Sequence, residues 1–267
     1  MIAVTFALPQ ESKDLRAKLK NARHEKREPQ RVENDSSDSS ASRLDAALPI
    51  LTGEINGEQI AICHTGIGGE SATRQLRELT RRHRPQSLIS AGFAGGLDPR
   101  LVVGNLLVAT NFSDEKLLDA ARHVCEDFAC CYFGTLTTQP QVAETSESKI
   151  FLHQTTRASA VDMETEVIAE ACRKLCIPMI ALRAISDIAS EQLPVPFAVW
   201  FDAQKQTPRP AALLRYLAQN PSRIRPFARF VSDINHARRK LTDYLENIIG
   251  EMSKPSRKPA VSPSRRL

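Results

Sequence analysis

Residues 159–171, SAVDMETEVIAEA, set Asp162 and Glu164 on either side of Met163, just ahead of an apolar-periodic run. Carboxylates usually sit on a helix's wet face, so this placement invites two readings. A carboxylate there can cap the helix and meet its dipole, or it can accept two vicinal hydroxyls at once, the geometry a ribose offers. A second stretch, ALRAISDIAS at 181–190, ends an apolar run abruptly in Ser186-Asp187. Desolvation at such a strand end favours a protonated carboxyl able to donate a proton or hydrogen bond, although spacing alone favours a simple turn cap. Glu11, which follows the first apolar run, is a third candidate acid with little independent support.

Two glycine-rich stretches accompany these acids. Gly66, Gly68 and Gly69 permit a tight turn whose amides can face an anion or hydroxyl at a helix start. Gly92, Gly95 and Gly96 read as a second loop of the same kind. Neither is a dinucleotide fingerprint, because GIGGES lacks the third glycine, and the G-K-[ST] of a phosphate-binding Walker loop is absent.

The elements that must position these residues alternate along the chain. Residues 2–8 form a β-branched apolar run, read as a first strand rather than a signal peptide because no basic region precedes it. A helical pattern follows (Leu15, Leu19), then a charged, Ser-rich stretch at 24–45 expected to be a flexible surface insertion. Asn56-Gly57 marks a hairpin. Strands are expected at 59–64, 87–91, 101–110, 134–138 and 178–185, and helices at 70–83, 119–131, 146–154 and 167–175. This order predicts an α/β fold, three-layer α/β/α around a central mixed, largely parallel sheet. From 208 to 252 two or three amphipathic helices without a strand are expected, with Trp200, Phe227, Phe230 and Tyr244 packed against the sheet. Residues 1–252 read as a single domain.

Composition narrows the partners. The chain has 267 residues, 42% hydrophobic content and net charge +5. The whole of that charge equals the five cations of the Pro/Ser-rich tail 253–267, Lys254, Arg257, Lys258, Arg265 and Arg266, so a disordered basic tail is expected and nucleic acid is not. No membrane span is expected. Six cysteines show no zinc spacing and read as reduced thiols of a cytoplasmic protein. No metal or cofactor is expected.

In open α/β sheets ligands bind beyond the carboxyl ends of the strands, and Glu11, Gly66–Gly69, Gly92–Gly96 and Ser186-Asp187 all follow predicted strands. At this point a resemblance enters. LTGEINGEQIAICHTGIGGESATRQL and SLISAGFAGGLDPRLVVGNLLVA, within 51–109, resemble the 5′-methylthioadenosine/S-adenosylhomocysteine nucleosidases of the purine nucleoside phosphorylase superfamily. AVDMETEVIAEACRKLCIPMIALRAISDIAS (160–190) is similar to their ribose-binding and catalytic stretch. The likeness covers most of 1–190 outside the 24–45 insertion. From LPVPFAVWFDAQ to about 245 the chain resembles instead the hopanoid-associated nucleoside phosphorylase branch.

What the resemblance implies is an enzyme that cleaves the N-glycosidic bond of a purine nucleoside, adenosine-like and substituted at the 5′ position. Asp187, with Ser186 beside it, matches the acid acting on the purine. Glu164 matches the carboxylate holding the ribose hydroxyls, with Met163 packing on the sugar and Asp162 nearby. Glu11 matches the residue that activates water. Gly66, Gly68, Phe93, Ala94, Gly95 and Val142 match positions around the substrate. The resemblance also implies a homodimer. Phe93 replaces a small hydroxyl residue, the segment between Thr110 and Phe133 is shortened, and Val142 and Ala143 stand near an expected aromatic. The shortened segment suits a bulkier 5′ group. An acid in ALPQES, where phosphorylases carry an arginine, suits water as acceptor. Arg183 and the glycines keep phosphate open as co-substrate, and a non-catalytic nucleoside-binding protein of the same fold is the other alternative.

Overall fold

The computed structural model describes residues 1–25, 49–203 and 205–254. Residues 26–45 of the expected insertion, and the tail from 255, lie outside them. In chain order the first elements are β1 (Ile2–Phe6), α1 (Lys13–Lys18), β2 (Lys20–Glu25), β3 (Ile50–Ile55), β4 (Glu58–His64), α2 (Gly69–His83) and β5 (Ser87–Gly96). The middle of the chain forms β6 (Leu106–Ala109), α3 (Glu115–Cys125), β7 (Cys131–Gly134), β8 (Leu136–Thr138), α4 (Ser146–Thr156), β9 (Ala160–Asp162), α5 (Thr165–Lys174) and β10 (Met179–Asp187). The C-terminal part forms α6 (Phe197–Trp200), β11 (Phe201–Asp202), β12 (Thr207–Pro208), α7 (Pro210–Gln219) and α8 (Ile224–Met252).

The main sheet runs β2-β3-β4-β1-β5-β10-β6-β7, with β9 on β5 and β8 on β9. Its centre, β4-β1-β5-β10, is parallel, while β2-β3, β3-β4 and β6-β10 are antiparallel. Alternation along β1 explains the layers. Ile2, Val4 and Phe6 face α1, α3 and α8 in one core, and Ala3 faces α2 and α5 in the other. The small side chains on that second face let α2 and α5 approach closely. On the first face Tyr244, Leu245, Ile248 and Ile249 of α8 are buried, each contributing about 1.5–3 kcal/mol by leaving water. The result is the expected α/β/α arrangement around a mixed, largely parallel sheet.

Local chemistry accounts for the matches and the departures. Asn56 and Gly57 both take positive φ, 53° and 82°, as a two-residue hairpin turn requires. Leu19 does not continue α1, because the chain turns extended there and Lys20–Glu25 adds an edge strand to β3. His24 and Glu25 of the expected insertion belong to that strand. Gly92–Gly96 is no loop but the end of β5, held in register by β10, with Arg183 opposite Gly92 and Asp187 opposite Gly95. The expected strand at 101–110 shrinks to Leu106–Ala109, since Asn105 Oδ1 takes the Val102 amide (2.8 Å) and turns the chain. The helix expected to 131 stops at Cys125, and Cys131 opens β7 beside β6.

The C-terminal part departs furthest from expectation. Pro208 lies in the two-residue strand β12, paired with β11. Of the four aromatics expected against the sheet, only Tyr244 is fully buried there, its hydroxyl donating to the Ala121 carbonyl at 3.1 Å. Cys125 and Cys131 also depart from the reduced state expected of all six. The turn between α3 and β7 brings their Cα atoms to 5.6 Å, and they form a disulfide. Cys63 and Cys172 are buried thiols, both pushed up to about 12 by burial. No helix among the described residues is long and apolar enough to cross a membrane.

Candidate active site

Because β1, β4, β5 and β10 run parallel, their carboxyl ends open on one side of the sheet. A cavity of about 180 Å³ lies there, and Glu11, Glu164 and Asp187 all line it. Met163, Asp162, Ser186, Phe93, Ala94, Gly95 and Val142 line it as well. Three acids separated by up to 176 residues in sequence thus meet at one site.

Glu11 follows β1 in a tight turn. Its Oε2 accepts the Leu8 amide at 2.8 Å and its Oε1 the Phe93 amide at 3.2 Å. These bonds fix the carboxylate between two strands. Burial raises its pKa above the usual carboxylate value, opposed by those amides and by the Arg183 charge. Gly92 makes the fit possible, since a Cβ there would stand 3.2 Å from Glu11 Oε1. Beside it the buried Ser12 and His64 meet at 2.7 Å. Burial, then the Arg16 charge, lowers the His64 pKa to about 4, so this ring is neutral at physiological pH.

Glu164 opens α5 without capping it. Its Oε1 instead accepts the Gly68 amide, 2.9 Å away across the site. Burial, and then the negative charge of Asp162, push its pKa up to about 8. The glycine turn therefore acts through the acid. Gly66 and Gly68, expected to touch substrate, do not line the cavity; Ile67 between them does. Their φ values of 75° and 92° supply the left-handed turn that aims the Gly68 amide at Glu164. Gln206 clamps this turn from the β11–β12 hairpin, accepting the Ile67 amide at 2.6 Å and donating to its carbonyl at 2.8 Å.

Asp162 supports the site rather than reaching freely into it. Its carboxylate is shared by Arg183 (3.0 and 2.8 Å), Thr138 (2.8 Å) and the Thr165 hydroxyl. Arg183, 3% exposed, also donates to the Ser90 and Leu182 carbonyls and to the Ser90 and Thr165 hydroxyls. A guanidinium has five hydrogens, and every nitrogen is engaged. Arg183 therefore has no fork to offer a phosphate.

Asp187 ends β10, where a register shift after Ile185 turns it toward the cavity. Ser186 donates to its Oδ1 at 2.6 Å. Its Oδ2 pairs with Lys149, which sequence reasoning missed. Lys149 is completely buried on α4 and also donates to the Ile188 and Glu191 carbonyls at 2.9 and 2.8 Å. Asp187 is thus one half of an ion pair rather than a simple turn cap. The local pattern of SESKIFLHQ gives no sign of this, because a lysine between solvent-facing residues reads as solvated. Gln206 was missed for the same reason.

The far wall is apolar, formed by Leu193, Phe197, Trp200, Phe230 and Ile234. Phe197 and Trp200 meet edge to face with centroids 4.8 Å apart. Trp200 and Phe230 therefore close the cavity rather than the sheet core.

A family model described as the phosphorylase superfamily matches residues 1–124 and 110–218. Among solved structures, the chain is similar to a 5′-methylthioadenosine/S-adenosylhomocysteine nucleosidase from Neisseria meningitidis in complex with methylthio-immucillin-A. That match has 20% identity and a TM-score of 0.66, covering 93% of this chain and 98% of that one. A nucleosidase of the same name from Colwellia psychrerythraea, in complex with adenine, matches at 20% identity and TM-score 0.67, covering 94% of each chain. Futalosine hydrolase of Helicobacter pylori matches at 19% identity and TM-score 0.64, covering 94% and 97%. These likenesses bear on the fold, and the family match spans most of the sequence. With the strand-end site and the mixed sheet already in place, the chain belongs to the phosphorylase superfamily.

Proposed function

We propose that this protein hydrolyses the N-glycosidic bond of a purine nucleoside, adenosine-like and substituted at the 5′ position, releasing free base. The observation that carries the reading is the convergence of Glu11, Glu164 and Asp187 on one cavity. The solved relatives described above, nucleosidases and a hydrolase by name, support it.

In this reaction the bond from the sugar's anomeric carbon to the base nitrogen breaks through an oxocarbenium-like state. Water forms the new C–O bond, and Glu11 takes one of its protons. The leaving base gains a proton from the Lys149–Asp187 pair, and the proton taken up by Glu11 returns to solvent as that pair is reprotonated, so the two transfers balance. Asp187, oriented by Ser186 and Lys149, holds the base's nitrogen edge, and Glu164 holds the ribose hydroxyls. Each proton-transferring group lowers the barrier by roughly 10²–10⁴-fold. Met163 and Phe93 pack against the sugar, and Val142 lies beside the base.

Water rather than phosphate is the acceptor in this reading. A buried carboxylate at Glu11 repels phosphate, and Arg183 is saturated by Asp162, Ser90, Leu182 and Thr165. The apolar wall suits a bulky, apolar 5′ substituent. A homodimer and a cytoplasmic location complete the reading. The test is a panel of purine nucleosides assayed with and without inorganic phosphate. Free base and free sugar in both conditions are expected. Product only with phosphate reverses the choice of acceptor, and ligand binding without any product identifies a binding protein.

A further inference from the structure

Residues 203–232 carry six basic side chains, Lys205, Arg209, Arg215, Arg223, Arg225 and Arg229, and no acidic one. The helices in this stretch turn apolar side chains outward. None of the residues of α7 is buried. Ala211, Leu214, Arg215 and Ala218 face solvent together at helical spacing, with Leu214 68% exposed. The first turns of α8 repeat the pattern, Ile224, Ala228 and Val231 forming an exposed apolar stripe flanked by Arg225 and Arg229. Arg229 meets Asp233 at 3.6 Å. Arg215 and Arg225 have no acidic partner among the described residues.

The adjacent face of α8 points Phe230 and Ile234 into the cavity. One helix therefore lines the active site and also presents an unpartnered apolar, cationic surface. A water-facing helix would carry polar residues on that stripe, and a core helix would bury it. Exposed leucine, isoleucine and valine among unpaired arginines match a helix lying in the headgroup plane of an anionic bilayer. Protein partners are less well matched, because an acidic protein surface would pair the arginines and leave the apolar stripe unsatisfied.

We infer that α7 and the first turns of α8 dock this protein on an anionic lipid surface, with the cavity mouth at the lipid boundary. Docking there would let an amphiphilic nucleoside pass from the bilayer along Phe230 and Trp200 to the acids. That delivery rests on the reaction proposed above, whereas docking itself does not and is tested without turnover.

The experiment is co-sedimentation of the full chain with vesicles of phosphatidylcholine alone, or containing about 30% phosphatidylserine. Binding only to the anionic vesicles is expected, weakening as salt rises. Leu214→Asp/Ile224→Asp/Val231→Asp and, separately, Arg215→Glu/Arg225→Glu should each weaken it about tenfold or more, with an unchanged melting temperature. Full vesicle binding by the first variant overturns the inference and leaves the basic tail as the attractor. Loss of self-association by that variant in light scattering, without vesicles, also overturns it, because the face is then an interface between copies of this chain.

Discussion

The Gly68 amide donates to Glu164 Oε1 at 2.9 Å, joining the turn after β4 to the start of α5 across 96 residues. The bond orients a carboxylate that burial and Asp162 push up to about 8. A raised folded-state pKa means the folded chain holds a proton that the unfolded chain has lost between about pH 4.5 and 8. This contribution is fully present below the unfolded value and is lost as pH rises through about 8. Glu164→Gln removes it. The fall in unfolding free energy from pH 5 to pH 9, followed by chemical denaturation, should be shallower in the variant, by an amount on the order of 3–5 kcal/mol at most. Parallel curves for the two proteins would contradict this account of Glu164.

Asp187→Asn keeps the shape of the strand end but removes the charge that Lys149 and Ser186 orient. Base release should drop by roughly 10²–10⁴-fold, with binding of a non-hydrolysable nucleoside analogue retained in calorimetry. Loss of binding to the same extent would make Asp187 a binding residue rather than a catalytic one.

Lys149→Met leaves the partly buried Asp187 without its ammonium and two carbonyls without their donor. Breaking one side of a buried pair is costly, so unfolding free energy should fall by about 3–5 kcal/mol in chemical denaturation. The double variant Lys149→Met/Asp187→Asn should recover part of that loss, because no uncompensated charge remains. A double variant less stable than the single one would refute the pairing as the cause.

Gly92→Ala places a methyl 3.2 Å from Glu11 Oε1. The backbone of β5 cannot withdraw without breaking its register with β10, so the carboxylate must shift. A displacement of this kind at a catalytic group costs on the order of 10²-fold in rate, with a melting temperature close to that of the parent. Steady-state kinetics should show the loss in kcat more than in KM. An unaltered kcat would separate Glu11 from the water-activating role.

Arg183→Lys tests the support beneath the acids. A lysine supplies three donors on a flexible stem and cannot reproduce the fork on Asp162. Destabilisation of about 2–4 kcal/mol is expected, together with weaker nucleoside binding as α5 and Glu164 lose their anchor. Phosphate should leave the melting temperature of the parent protein unchanged, and a phosphate-dependent rise would reopen phosphorolysis.

Much of this protein was legible in its residues alone. The 2.0- and 3.6-residue periodicities located most strands and helices, because alternation and helical spacing are local consequences of which side must leave water. Asn56-Gly57 named its turn, Glu11 and Asp187 were identifiable as acids after strands, and Glu164 as one at the start of a helix. Tertiary structure alone decided what those acids touch. The β5 glycines became strand because β10 pairs with them, and no local signal announces a partner about ninety residues away. Gly66 and Gly68 lie off the cavity lining, and the Gly68 amide holds Glu164. Lys149 and Gln206 look like ordinary surface residues in the sequence, yet folding places one inside an ion pair and the other on the glycine turn. Burial and pairing depend on which distant segments pack together, so these roles exist only in the folded chain.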